Sequence, residues 1–138
     1  MRAVVQRVRR ASVSVDGRVV AQIGPGMLVL LGVATGDTAE QADRIATKLS
    51  RLRIFDDADG RMNEPLGDRE ALCVSQFTLL GDTSRGNRPS WGGAAPAEVA
   101  QPLYERVCDA LGAAHGAFGE HMVVELENDG PVTLLLEA

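Results

Sequence analysis

Met1-Arg2-Ala3-Val4-Val5-Gln6-Arg7-Val8-Arg9-Arg10-Ala11-Ser12-Val13-Ser14-Val15 opens the chain, and its reading decides the fold. From Arg2 to Val15 apolar and polar residues alternate with a period of two, the pattern of a strand with one face in the core. Asp16-Gly17 is a hairpin signal, because both residues tolerate the positive φ of a tight turn. Arg18 to Ile23 then returns as a second strand. Gly24-Pro25-Gly26 turns the chain again. Met27 to Val33 is a continuous apolar run, which predicts a strand covered on both faces.

Further along, Thr38 and Gln41 have capping-box spacing and open a helix. Ala42, Ile45, Ala46, Leu49 and Leu52 form its apolar stripe. Asp56-Asp57-Ala58-Asp59-Gly60 is an acidic turn without the length or the distal Glu of a calcium loop. Ala71 to Leu80 is predicted as a strand, Gly81 to Gly93 as a loop, and Pro96 to Ala114 as a second helix. Pro102 inside that helix removes a hydrogen bond, so the helix either starts near Gln101 or kinks. Met122 to Leu126 and Val132 to Leu136 are predicted as two closing strands joined by Asn128 to Pro131. The fold class expected is α+β: a strongly curved, mostly antiparallel sheet or barrel flanked by two helices, in a single domain over 1–138. Short connections favour the antiparallel pairing.

The 138 residues are 45% hydrophobic, enough for one core without disulfide or metal staples. Cys73 and Cys108 are expected as free thiols in a reducing compartment. Met1 to Arg10 has no apolar h-region, and no run reaches the ~20 apolar residues of a membrane helix, so a cytoplasmic protein with no membrane partner is expected. The net charge of −5 argues against indiscriminate nucleic-acid binding. Thirteen of the fourteen basic residues are nonetheless arginine, the better phosphate ligand, and they cluster at Arg7, Arg9 and Arg10, at Arg51 and Arg53, and at Arg85 and Arg88.

The familiar catalytic schemes find little support. The only histidines, His115 and His121, have no serine or cysteine close by in the chain with which to build a triad. Two cysteines and two histidines scattered along the chain do not make a zinc set. Gly32 to Thr38 lacks the lysine of a phosphate-binding loop. No metal and no cofactor is implied. An enzyme built this way would rely on positioning and on backbone electrostatics.

Two segments offer such a device. Ser75-Gln76-Phe77-Thr78 follows the apolar run Leu72-Cys73-Val74, and Asn128-Asp129-Gly130-Pro131-Val132-Thr133 precedes another. Glycine accepts backbone shapes other residues resist, and proline fixes its own φ, so Gly130-Pro131 is a stiff way to aim two carbonyls. The two motifs, with Gln6-Arg7-Val8, Arg10-Ala11-Ser12-Val13, Arg53-Ile54-Phe55, Met62-Asn63, Arg88-Pro89-Ser90 and Gly119 with Met122 in order, resemble the D-aminoacyl-tRNA deacylases, also called D-tyrosyl-tRNA deacylases. The resemblance spans essentially the whole chain.

The resemblance implies the deacylase-like fold and hydrolysis of the ester joining a D-amino acid to the 3′ end of tRNA, with glycyl-tRNA also accepted. It implies a catalytic segment of Ser75, Gln76, Phe77 and Thr78. The amides of Phe77 and Thr78 would face the developing oxyanion; alternatively the Thr78 hydroxyl is the nucleophile. Gly130 and Pro131 would form a Gly-cisPro motif that reaches the partner's site in a homodimer and excludes L-residues. Arg7, Asn128 and Asp129 would support that loop, and Phe118 and Met122 would pack around the terminal adenosine. Trp91 stands where the family more often has phenylalanine. Two further classes stay open: a non-catalytic RNA-binding module, and a general esterase.

Overall fold

A computed structural model describes residues 1–138. β1 (Arg2–Val15) is the spine. Along one edge it pairs antiparallel with β8 (Val123–Glu137), from Arg2 opposite Glu137 to Ser14 opposite Val123. Its other edge is shared. The first half pairs with β3 (Gly26–Gly32) and the second with β2 (Arg18–Ile23), both antiparallel. One strand serving two neighbours on one edge has to bend. The bend shows in the burial pattern: Arg7 and Val8 are both buried and Arg9 and Arg10 both exposed, so the alternation slips there.

β3 also pairs with β6 (Glu70–Ser75), and β6 with β7 (Ala114–His115), in parallel. β2 comes close to β6 and β7, curling the sheet toward closure. A separate small hairpin, β4 (Phe55–Asp56) with β5 (Met62–Glu64), carries the acidic turn. The α+β expectation of a curved, mostly antiparallel sheet with two helices is borne out.

The apolar run of β3 is covered on both sides, as its composition requires. Met27, Val29 and Leu31 face the larger core cluster, with Ile45, Leu49, Tyr104 and Val107 from the helices. Leu28 faces a smaller cluster inside the curl, with Val8, Val13, Ile23, Leu72 and Val74. Each such side chain contributes about 1.5–3 kcal/mol by leaving water.

α1 (Ala39–Arg51) starts on the expected capping box: the Thr38 side chain accepts from the Glu40 N–H, and Gln41 accepts from the Thr38 N–H at 2.8 Å. α2 (Ala97–Leu111) begins before Pro102 and runs through it, so of the two outcomes foreseen the later start at Gln101 is excluded. Pro102 sits on the exposed side, where water can serve the Glu98 carbonyl that loses its partner. Gly112 ends α2 in the left-handed region at φ 59°.

Two predicted boundaries are corrected. The strand expected from Ala71 to Leu80 stops at Ser75, and Phe77–Leu80 is a 3₁₀ turn. β3 ends at Gly32 and offers no ladder beyond Leu31 opposite Ser75, so the chain must turn. The Gln76 N–H closes on the Leu31 carbonyl at 2.8 Å. Nor are the last two strands a hairpin: β8 is one strand with a large bulge. Between paired positions β1 moves from Gln6 to Val8 while β8 moves from Thr133 to Asn128, which throws 129–132 out of the ladder.

Candidate active site

The 3₁₀ turn is set tight against β3. A Cβ on Gly32 would lie 2.8 Å from the Gln76 carbonyl oxygen and 2.5 Å from a Leu80 methyl, so only glycine lets the turn seat there. Leu80 is buried beneath it, and the Leu79 and Gly81 N–H groups bond back to the Gln76 and Thr78 carbonyls. The N–H groups of Phe77 and Thr78 find no partner in the turn, as expected of the first donors of any helical turn. They are two adjacent free amides on an anchored backbone. The Gln76 side chain donates to the Thr78 hydroxyl. No imidazole or carboxylate bonds that hydroxyl.

Beside the turn lies a cavity of about 440 Å³, within the range of small-ligand sites. Ser75, Gln76 and Phe77 line one side and Phe118, His121 and Met122 another. The structure therefore brings the predicted catalytic segment and the predicted adenosine-packing residues to one cavity; Thr78 sits just outside its lining. Phe118 is held by Tyr104, ring centroids 5.7 Å apart. Met122 lies against Gly116, where a Cβ would fall 2.6 Å from the sulfur.

Tyr104 was not among the predicted site residues. It lines the cavity, and its hydroxyl donates to the Cys73 carbonyl at 2.8 Å, tying α2 to the strand that delivers Ser75. Burial holds its phenol well above the usual range, so it remains a donor. Its signal in the sequence was its place on the apolar stripe Ala100, Tyr104, Val107, Cys108. Cys73 and Cys108 are both free and buried, and the bond to Cys108, with burial, pushes the Cys73 thiol up. His121 lines the same cavity as Ser75, but no hydrogen bond joins the two. No group of three or more metal-ligating side chains gathers anywhere in the chain.

Gly130 and Pro131 lie elsewhere. They sit in the β8 bulge opposite Arg7, which pairs with Met27, whereas Gln76 bonds Leu31. Four residues of β3 separate the two ends, roughly 13 Å at ~3.3 Å per residue. Arg7 fills the bulge and is the one charged residue buried as a whole, 8% exposed. It donates through Nε to the Asp129 carbonyl at 2.9 Å and through Nη1 to the Ile54 carbonyl at 2.7 Å, with the Asp56 and Asp129 carboxylates 3.5 and 3.6 Å away. Gly130 has φ 98°, and a Cβ on it would meet the Arg7 guanidinium at 2.3 Å. Asn128 pairs with Val8 at the edge of the bulge.

The Gly130-Pro131 peptide bond is trans, like every other in the chain, which corrects the cis expectation. Trans is the ordinary isomer of an X-Pro bond.

Arg9 and Arg10, both exposed, stand 3.2–3.9 Å from the carboxylates of Glu127 and Asp129. Arg53 is bound to Asn63.

A family model described as D-Tyr-tRNA(Tyr) deacylase matches residues 4–137. A D-aminoacyl-tRNA deacylase of Roseiflexus castenholzii is 56% identical, covering 100% of this chain and 92% of the relative. That of Desulforamulus reducens is 51% identical, over 100% of this chain and 97% of its own. Among solved structures, one of a c-Myc DNA unwinding element binding protein superposes with a TM-score of 0.94 at 40% identity, covering 100% of this chain and 99% of that one. A probable eukaryotic D-amino acid tRNA deacylase shares the fold, with a TM-score of 0.85 at 17% identity and coverage of 99% and 98%.

Proposed function

The chain belongs to the D-Tyr-tRNA(Tyr) deacylase family and is a D-aminoacyl-tRNA deacylase, a carboxylic ester hydrolase of translation quality control, and from that premise we propose how its site works. The reading is carried by one observation: a single cavity brings Ser75, Gln76 and Phe77, at the start of the 3₁₀ turn with its free amides, together with Phe118 and Met122.

The terminal adenosine of tRNA lies against Phe118 and Met122. The ester carbonyl points at the Phe77 and Thr78 N–H groups. Water attacks the carbonyl carbon, aided by the neighbouring ribose hydroxyl of the substrate. The oxyanion forms against the two amides. The C–O bond to the ribose then breaks, and its oxygen takes up a proton. Fixed donors of this kind contribute most when charge develops, and one is worth roughly 100- to 1000-fold in rate. The domain spans 1–138 and works without a cofactor, in the cytoplasm.

Chirality is judged by the Gly130 and Pro131 carbonyls of a second copy. They accept from the substrate ammonium, leaving a D side chain free and an L side chain in collision with backbone. Glycine has nothing to collide, so mischarged glycyl-tRNA is hydrolysed too. Two features support the homodimer. Within one chain the bulge and the cavity lie at opposite ends of β3, which favours a bulge supplied to the cavity by another protomer. And β8, bonded only to β1, leaves one edge unpaired and exposes Leu135 (79%), Val123 and Leu126.

The test is discharge of D-tyrosyl-tRNA by the purified protein, with L-tyrosyl-tRNA and a tRNA ending in 2′-deoxyadenosine alongside. Rapid loss of the D-ester alone is expected, with severe slowing on the deoxy substrate. A binding module would leave the ester's decay unchanged. A general esterase would ignore the missing hydroxyl. A monomeric Leu135→Arg variant with undiminished rate and selectivity would sink the shared site.

A further inference from the structure

Just outside the cavity the surface changes character. Phe77 lines the cavity, yet its side chain is 56% exposed and meets Trp91 edge-on, centroids 5.3 Å apart at 73°. Trp91 is 43% exposed. Two large aromatics beside each other in water are unusual unless something covers them. Nor is Trp91 loosely placed: a Cβ on Gly81 would lie 2.7 Å from its ring, so the glycine beneath it makes its seat.

The loop between them is also organised. Asp82 and Ser90 exchange two backbone hydrogen bonds of 2.9 Å, and the Asp82 carboxylate accepts from the Ser84 N–H at 2.8 Å. That clamp closes 83–89 as a loop whose base is next to Trp91 in the chain. Arg85 and Arg88 are exposed on it and enter none of the ion pairs, in a chain of net charge −5. Arg9 and Arg10, by contrast, each lie within 4 Å of a carboxylate on β8.

We propose that Phe77, Trp91, Arg85 and Arg88 form a subsite for the single-stranded nucleotides immediately before the terminal adenosine. One base stacks on the aromatic pair, and the arginines hold the phosphates on either side of it. Every base has a π-face, so this platform grips the strand whatever its sequence, and arginine forks suit phosphate oxygens. The site would thus distinguish a nucleic-acid end from a free aminoacyl nucleoside. The inference rests on the deacylase reading and adds to it.

Trp91 is the only tryptophan, so its emission reports the platform directly. Titration with the trinucleotide CpCpA is expected to quench it, and adenosine alone is not. Equal effects of the two, or none from CpCpA, overturn the proposal. In kinetics, the Arg85→Ala/Arg88→Ala protein is compared with wild type on D-tyrosyl-tRNA and on 3′-D-tyrosyl-adenosine. The ratio of the two kcat/KM values should fall about tenfold. The slope of log(kcat/KM) against log salt for the tRNA should flatten by about one. An unchanged ratio, or an equal loss on both substrates, overturns the subsite. If the wild-type protein discharges neither substrate, it is the deacylase reading that fails, a result distinct from either.

Discussion

The two ends of the β1–β3 ladder solve opposite problems. At the bulge end, a buried arginine satisfies two carbonyls and faces two carboxylates. At the cavity end, two amides are left without partners on a turn whose position depends on a glycine. Buried polar groups normally find partners, because an unmade hydrogen bond costs about 1–3 kcal/mol. The bulge end obeys that rule and becomes a rigid frame. The cavity end sets donors at an open mouth, where a ligand can take them. The comparison teaches where to expect effects on rate and where on stability.

The largest effect should come from Gly32→Ala. The added methyl meets the Gln76 backbone oxygen, so the 3₁₀ turn has to move. Turnover of D-tyrosyl-tRNA should fall about 100-fold, the scale of losing one oxyanion donor, while urea denaturation shows a far smaller change. Full activity would mean that the amides are not the device. Next is Arg7→Ala at the other end, where two backbone carbonyls and two carboxylates lose their cation. Stability in urea should drop by about 3 kcal/mol. If it does not, the frame is held by something other than Arg7. Gly130→Ala should cost about 2 kcal/mol, from positive φ and the displaced guanidinium. Its D/L rate ratio on tyrosyl-tRNA should also shrink; an unchanged ratio removes the bulge from chirality.

Much of this frame was legible in the chain. Period-two alternation marked β1, the Asp16-Gly17 turn marked the return through β2, the unbroken apolar run marked β3, and the Thr38/Gln41 spacing placed the start of α1. What hid was hidden for physical reasons. Gly130-Pro131 carries the same local signature in a bulge as in a hairpin, and only the register of β8 on β1 tells them apart. Leu79-Leu80 reads equally well as the end of a strand or as the anchor of a turn. The decision lies in where β3 stops, which is a tertiary fact. Tyr104 is core on one side and cavity wall on the other. The arginine clusters looked alike until their partners were known. Arg7 is structural, Arg9 and Arg10 are paired, and Arg85 and Arg88 are free.

Smallest of all should be the effect of Thr78→Ala, and it sharpens the comparison most. The hydroxyl accepts from the Gln76 side chain and is exposed, so its removal leaves no buried group unpaired. The backbone N–H stays where the 3₁₀ turn puts it. If the cavity end works through main-chain donors, turnover should remain within about threefold of wild type, since the oxyanion keeps both amides. A nucleophilic hydroxyl makes the opposite demand: alanine cannot form an acyl-enzyme, and turnover should vanish. Single-turnover hydrolysis of D-tyrosyl-tRNA in H₂¹⁸O by wild-type protein separates the two independently of the variant. Direct attack by water puts label in the released D-tyrosine in the first turnover and leaves none on the protein. Attack by Thr78 would pass through a covalent ester that a rapid acid quench can trap.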